Sequence, residues 1–181
     1  MTTTPNDSAA VFLDRDGTLM REVNYCFDPK QVEIFPGVSE ALQRLRKSGF
    51  KLIVISNQAG IGRGYFTEEQ YRRVEAEVAR AVLPATFDAV YFCPDRPDLA
   101  TERRKPAPGM VFEAQRDHHI DLARSFFIGD KAIDIECGHN AGLRTILVRT
   151  GYGANETQAN PHWVADDLSA AADIILAQSN G

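Results

Sequence analysis

The chain has 181 residues, 44% of them apolar, and its 20 basic against 25 acidic side chains leave a formal net charge of −5. That length and apolar share can build a sizeable core, so a single domain over residues 1–181 is expected. The acidic balance argues against nucleic acid or an anionic membrane surface as partner, and no apolar run approaches the roughly 18 residues that span a bilayer.

The opening MTTTPNDS has no basic stretch followed by an apolar one, so it does not resemble a secretory leader; residues 1–8 are expected to form a frayed tail. Three scattered cysteines suit a reducing compartment, and a cytoplasmic monomer is expected. Ala9–Leu13 is a short apolar run with the character of a buried strand. From Pro36 the segment PGVSEALQRLRKSGF places Val38, Leu42 and Leu45 on one helical face and stops at Gly49. Lys51–Ile55 is a second buried strand. Thr67 with Gln70 three places on forms a capping box opening EEQYRRVEAEVARAVL, and Asp88–Cys93 is a third strand. A proline-rich loop leads into a helix over Gly109–His119 carrying Val111, Phe112 and Ala114. Ser125–Ile128 is a fourth strand, DIECGHNAG a short helix ending at Gly142, Arg144–Val148 a fifth strand and Leu168–Gln178 a last helix.

Strands alternating with helices at this spacing predict an α/β chain, a three-layer αβα Rossmann-like fold around a central parallel sheet, with no insert long enough for a large cap domain. Ligands of such folds collect at the carboxyl ends of the strands. Polar clusters follow the strands there: DRDGT, SNQAGIGRG, RKP and GDKAID.

The first cluster, Asp14-Arg15-Asp16-Gly17-Thr18, sets two carboxylates two residues apart before a glycine turn. One carboxylate can attack phosphorus to form an acyl phosphate, and the other can protonate the departing oxygen and then activate water. An acidic turn closing a strand is the bland alternative, and it would prevail if DxD stood alone. With its strand and companion motifs, VFLDRDGTL resembles the first motif of the haloacid dehalogenase-like superfamily, in its phosphatase branch. Ser56-Asn57-Gln58 with Gly60-Ile61-Gly62-Arg63-Gly64 behind it is similar to the subgroup of D-glycero-D-manno-heptose bisphosphate phosphatases and histidinol phosphatases.

That resemblance implies a magnesium-dependent phosphatase working through an aspartyl-phosphate. Asp14 would be nucleophile, Asp16 general acid and base, Ser56 a donor to the phosphoryl group and Lys105 its neutralising cation. Asn57, Gln58, Arg63 and Arg104 would face the substrate, together with Lys131. Magnesium would lie between Asp14, the main-chain carbonyl of Asp16, and Asp130; Asp134 is read either as a metal-site residue or as one that positions a lysine or caps a helix. Anionic nucleophile and anionic phosphate repel, so the site needs these cations. Within the Met20–Phe35 loop, Glu22, Asn24 and Tyr25 are implied near the leaving group, against a purely structural packing role for the loop.

Many members of the subgroup carry a zinc loop of the form C-P-H then C-x-C before R-K-P. This chain keeps Cys93, but Asp95 stands at the histidine and Thr101-Glu102-Arg103 at C-x-C, so no structural zinc is expected. Cys26, Cys93 and Cys137 are read as small buried residues, and His118, His119, His139 and His162 as surface or packing residues without ligand spacing. The implied substrate is a small phosphorylated metabolite, best a D-glycero-D-manno-heptose 1,7-bisphosphate losing its 7-phosphate. The alternatives are histidinol phosphate, another sugar phosphate, or a non-catalytic phosphosugar-binding role.

Overall fold

A computed structural model describes residues 7–179. The expected tail lies outside the described residues for positions 1–6; Ser8, its last member, is pinned instead, its N–H donating to the His119 carbonyl at 3.0 Å and its carbonyl accepting from Asp121 N at 3.0 Å.

Six strands, β1 (Ala10–Leu13), β2 (Lys51–Asn57), β3 (Ala89–Cys93), β4 (Phe126–Gly129), β5 (Arg144–Val148) and β6 (Trp163–Ala165), form one sheet in the order β3-β2-β1-β4-β5-β6. Every ladder is parallel. The helices are α1 (Val38–Lys47), α2 (Ala59–Gly62), α3 (Glu68–Ala81), α4 (Gly109–His118), α5 (Ala132–Asn140) and α6 (Leu168–Ser179). β1 is buried along its whole length because both faces are covered. Its Val11 and Leu13 join Leu42 and Leu45 of α1 and Ala172 and Ile175 of α6 in one core. Ala10 and Phe12 point the other way, to Val111 and Ala114 of α4 and Cys137 of α5. This is the expected three-layer αβα arrangement.

The sequence-derived strands and long helices are present with ends displaced by a residue or two, and the Thr67–Gln70 capping box closes in both directions, at 3.2 and 2.8 Å. Three features were not anticipated. β6 has only three residues, of which Val164 is exposed, so it leaves no periodic trace. The α2 turn is four residues long. The Met20–Phe35 loop folds back on itself, with Arg21 N bonded to Glu33 O at 2.8 Å and Phe35 N to Leu19 O at 3.1 Å, making a small flap with Met20 and Cys26 buried beneath it.

From β1 the chain builds outward on one side through β2 and β3, then crosses to β4 on the other. The loops after β1 and β4 therefore diverge and leave a crevice at their carboxyl ends.

Candidate active site

The crevice is lined first by the β1 loop. Gly17 turns at φ +89°, and a Cβ there would come within 2.2 Å of Asp130 Oδ2. Only glycine lets the DRDGT turn close onto the loop after β4. Thr150, past β5, fixes that turn by donating its hydroxyl to the Gly17 carbonyl at 2.7 Å, and the Tyr152 N–H holds Asp130 Oδ2 at 2.8 Å.

Asp14, Asp130 and Asp134 are all buried and each offers an oxygen within 4.8 Å of the others. Lys105 Nζ reaches into this cluster, donating to Asp14 Oδ1 at 2.6 Å, Asp134 Oδ1 at 2.7 Å and the Ile55 carbonyl at 2.9 Å. Burial would discharge such an ammonium, but Asp134 and Asp14 outweigh it and hold its pKa above the ordinary lysine value. Burial pushes Asp14 well up, with Asp134 and Asp130 adding to the rise and Lys105 opposing it. Asp130 is pushed up to about 6 by burial and then Asp134. Asp14 Oδ2 and Asp130 Oδ1 are buried with no hydrogen-bond partner. Two orphaned carboxylate oxygens in a hard, all-oxygen donor set suit a divalent cation that prefers oxygen ligands. Asp134 differs from them: its Oδ1 is taken by Lys105 and its Oδ2 accepts from Lys131 N at 3.1 Å.

Asp16 sits beside this cluster at the mouth. Gln58 Nε2 spans from Ser56 Oγ at 2.7 Å to Asp16 Oδ2 at 2.9 Å, joining the second motif to the first. A cavity of about 200 Å³ opens over them, lined by Asp16, Glu22, Asn24, Tyr25, Asn57, Gln58, Lys131 and Tyr152. Lys131 Nζ pairs with Glu22 at 2.9 Å and lies 4.9 Å from the centre of the Tyr152 ring. Asn57 lines the cavity, yet its amide is committed to the backbone of Lys105, at 3.0 and 3.1 Å. Arg63 and Arg104 do not line it. Arg63 ends α2 on the exposed surface, and Arg104 donates to the Asp95 carbonyl at 2.7 Å. A larger cavity of about 620 Å³ lies near the amino ends of the strands, between Phe50, Arg124, Arg144 and Gln178, away from these carboxylates.

The loop after β3 is tied by side chains. Asp95 Oδ2 accepts from Thr101 N at 3.0 Å and Thr101 Oγ1 at 2.5 Å, so two positions that the resemblance assigns to zinc ligands elsewhere bond each other here. The three cysteines are buried and free. His119, His139 and His162 are exposed, although His139 and His162 meet across the fold with ring centres 5.1 Å apart. Sequence reasoning missed Thr150, Tyr152, Glu75 and the part played by Arg15; RTGYG at the carboxyl end of β5 was the one signal available for the first two.

The HAD-hydrolase-like family model matches residues 102–171. A D-glycero-D-manno-heptose-1,7-bisphosphate 7-phosphatase of Thermosynechococcus vestitus is 40% identical over 92% of this chain and 94% of its own length. The D-glycero-beta-D-manno-heptose-1,7-bisphosphate 7-phosphatase of Escherichia coli K12 is 36% identical over 93% of this chain and 94% of its own. Among solved structures, the D,D-heptose 1,7-bisphosphate phosphatase of B. bronchiseptica, complexed with magnesium and phosphate, superposes with a TM-score of 0.85 at 28% identity, covering 94% of this chain and 99% of that one. Likeness on this scale extends over more than nine-tenths of the chain. This chain belongs to the haloacid dehalogenase-like hydrolases, among their phosphatases.

Proposed function

We propose that this protein is a magnesium-dependent phosphomonoesterase that removes the 7-phosphate of D-glycero-D-manno-heptose 1,7-bisphosphate through a covalent phosphate on Asp14. The observation that carries the chemistry is the pair of orphaned oxygens, Asp14 Oδ2 and Asp130 Oδ1, buried in the cluster where the Lys105 ammonium donates to the other Asp14 oxygen, Oδ1. The names of the relatives that match along nearly the whole chain support the substrate.

Asp14 attacks phosphorus as the bond to the sugar oxygen breaks. Asp16 gives that oxygen its proton, then takes one from the water that hydrolyses the acyl phosphate. The Ser56 hydroxyl and Lys105 offset charge on the phosphoryl oxygens. Asp134 holds Lys105 in place, since both its own oxygens are already occupied. Asp14, Asp130 and the main-chain carbonyl of Asp16 would hold magnesium, which supplies positive charge against the anionic phosphoryl group. Glu22, Asn24, Tyr25 and Lys131 face the cavity where the sugar would lie.

Phosphate release is to be measured from the heptose bisphosphate and from histidinol phosphate, with magnesium and with chelator. Rapid, chelator-sensitive release from the heptose bisphosphate is expected, falling to background in Asp14→Asn. Near-normal turnover by that variant would refute the covalent route, and a preference for histidinol phosphate would reassign the substrate.

A further inference from the structure

Arg15 is the residue between the two motif aspartates, and its side chain is fully buried. It turns back onto its neighbour: Nε donates to Asp16 Oδ2 at 3.1 Å, and Nη2 to Oδ1 at 3.0 Å and Oδ2 at 2.9 Å. Its remaining edge faces α3, where Nη1 donates to Glu75 Oε2 at 3.2 Å. The guanidinium lies 5.3 Å from the centre of the Tyr71 ring, one helical turn before Glu75, and Tyr71 itself packs on Phe92 with ring centres 4.4 Å apart. A buried arginine held at both ends by carboxylates and on one face by an aromatic ring has one orientation open to it.

The donors on Asp16 are unequal. Oδ2 receives three, from Arg15 Nε, Arg15 Nη2 and Gln58 Nε2, whereas Oδ1 receives Arg15 Nη2 alone. A carboxylate oxygen has two lone pairs, so Oδ1 keeps the capacity to exchange a proton.

We infer that Glu75 on α3 is a positioning residue for the reaction, acting through Arg15 to hold Asp16 so that its Oδ1 meets the leaving oxygen. The inference rests on the phosphatase reading above. It connects a helix outside all four motifs to the proton-transfer step. Proton donation matters most when the leaving oxygen is strongly basic, so displaced Asp16 slows release of a poor leaving group more than release of a good one. A merely structural defect would slow both alike.

The test uses the full chain with magnesium, comparing kcat/KM for phenyl phosphate, a poor leaving group, with 4-nitrophenyl phosphate, a good one of similar shape. In Glu75→Ala, kcat/KM for phenyl phosphate is expected to fall by about tenfold or more, with a loss of no more than about threefold for 4-nitrophenyl phosphate. Glu75→Gln, which keeps an acceptor for Arg15 Nη1, is expected to hold the ratio of the two within about threefold of wild type. An unchanged ratio in Glu75→Ala, or the same displaced ratio in both variants, overturns the inference while phosphatase activity stands. Absence of magnesium-dependent release by the wild-type protein from these esters and from the heptose bisphosphate overturns the phosphatase reading, and the inference with it.

Discussion

At Asp130, burial and then the neighbouring Asp134 push the carboxyl up to about 6, against the pull of Lys131 and the Tyr152 amide. Between the ordinary carboxylate range and about 6 the folded state holds a proton that the unfolded state has released, so the metal-free protein loses stability as pH rises through that window. Asp14 shifts in the same direction and so works in the same sense. A cation bound by their orphaned oxygens favours the ionised forms and reverses the trend. Thermal unfolding in chelator should therefore move to lower temperature as pH is raised through about 6, and magnesium should raise it more above that pH than below. A magnesium effect constant across the window would contradict this. Residues with their own chemistry could be singled out in advance: Asp14 and Asp130 share one buried cluster and Lys105 donates into it, while Asp16 is bonded to Arg15 and Gln58. Asn57 was read as facing substrate, and it does line the cavity, but its amide holds Lys105 across 48 positions of sequence. Such a bond has no local signature.

The elements that position these residues are joined by a few buried polar contacts. Ser125, just before β4, accepts from Ala10 N at 2.9 Å and donates to the Asp121 carbonyl at 2.6 Å, joining the start of β1 to the turn that launches β4. Ser125→Ala would leave the Ala10 N–H buried without a partner, a loss of about 1–3 kcal/mol that denaturant unfolding would register; an unchanged midpoint would show that the strand relaxes to satisfy it. Helix α3 was expected from its capping box and apolar spacing, and both hold. Nothing local distinguishes its Glu75 from Glu68, Glu69 and Glu77. What distinguishes it is Arg15, 60 positions earlier.

For the molecule as a whole, the two cores share the first four strands of one sheet, β1 to β4 each giving alternate residues to either side. Neither face can open without exposing the backbone of the other, so the chain is expected to unfold in a single transition, with coincident loss of secondary structure and tryptophan signal; separated transitions would show two units. The alternation of strand and helix, the three-layer class and the four motifs are legible along the chain, because periodicity, caps and motif chemistry act over a few neighbouring residues. Strand order, the two-sided commitment of Asp134, the Asp95–Thr101 tie and the route from Glu75 through Arg15 to Asp16 were decided by tertiary structure. Each joins groups that meet only once the sheet has closed, and burial then makes every unpaired polar atom costly enough to select its partner.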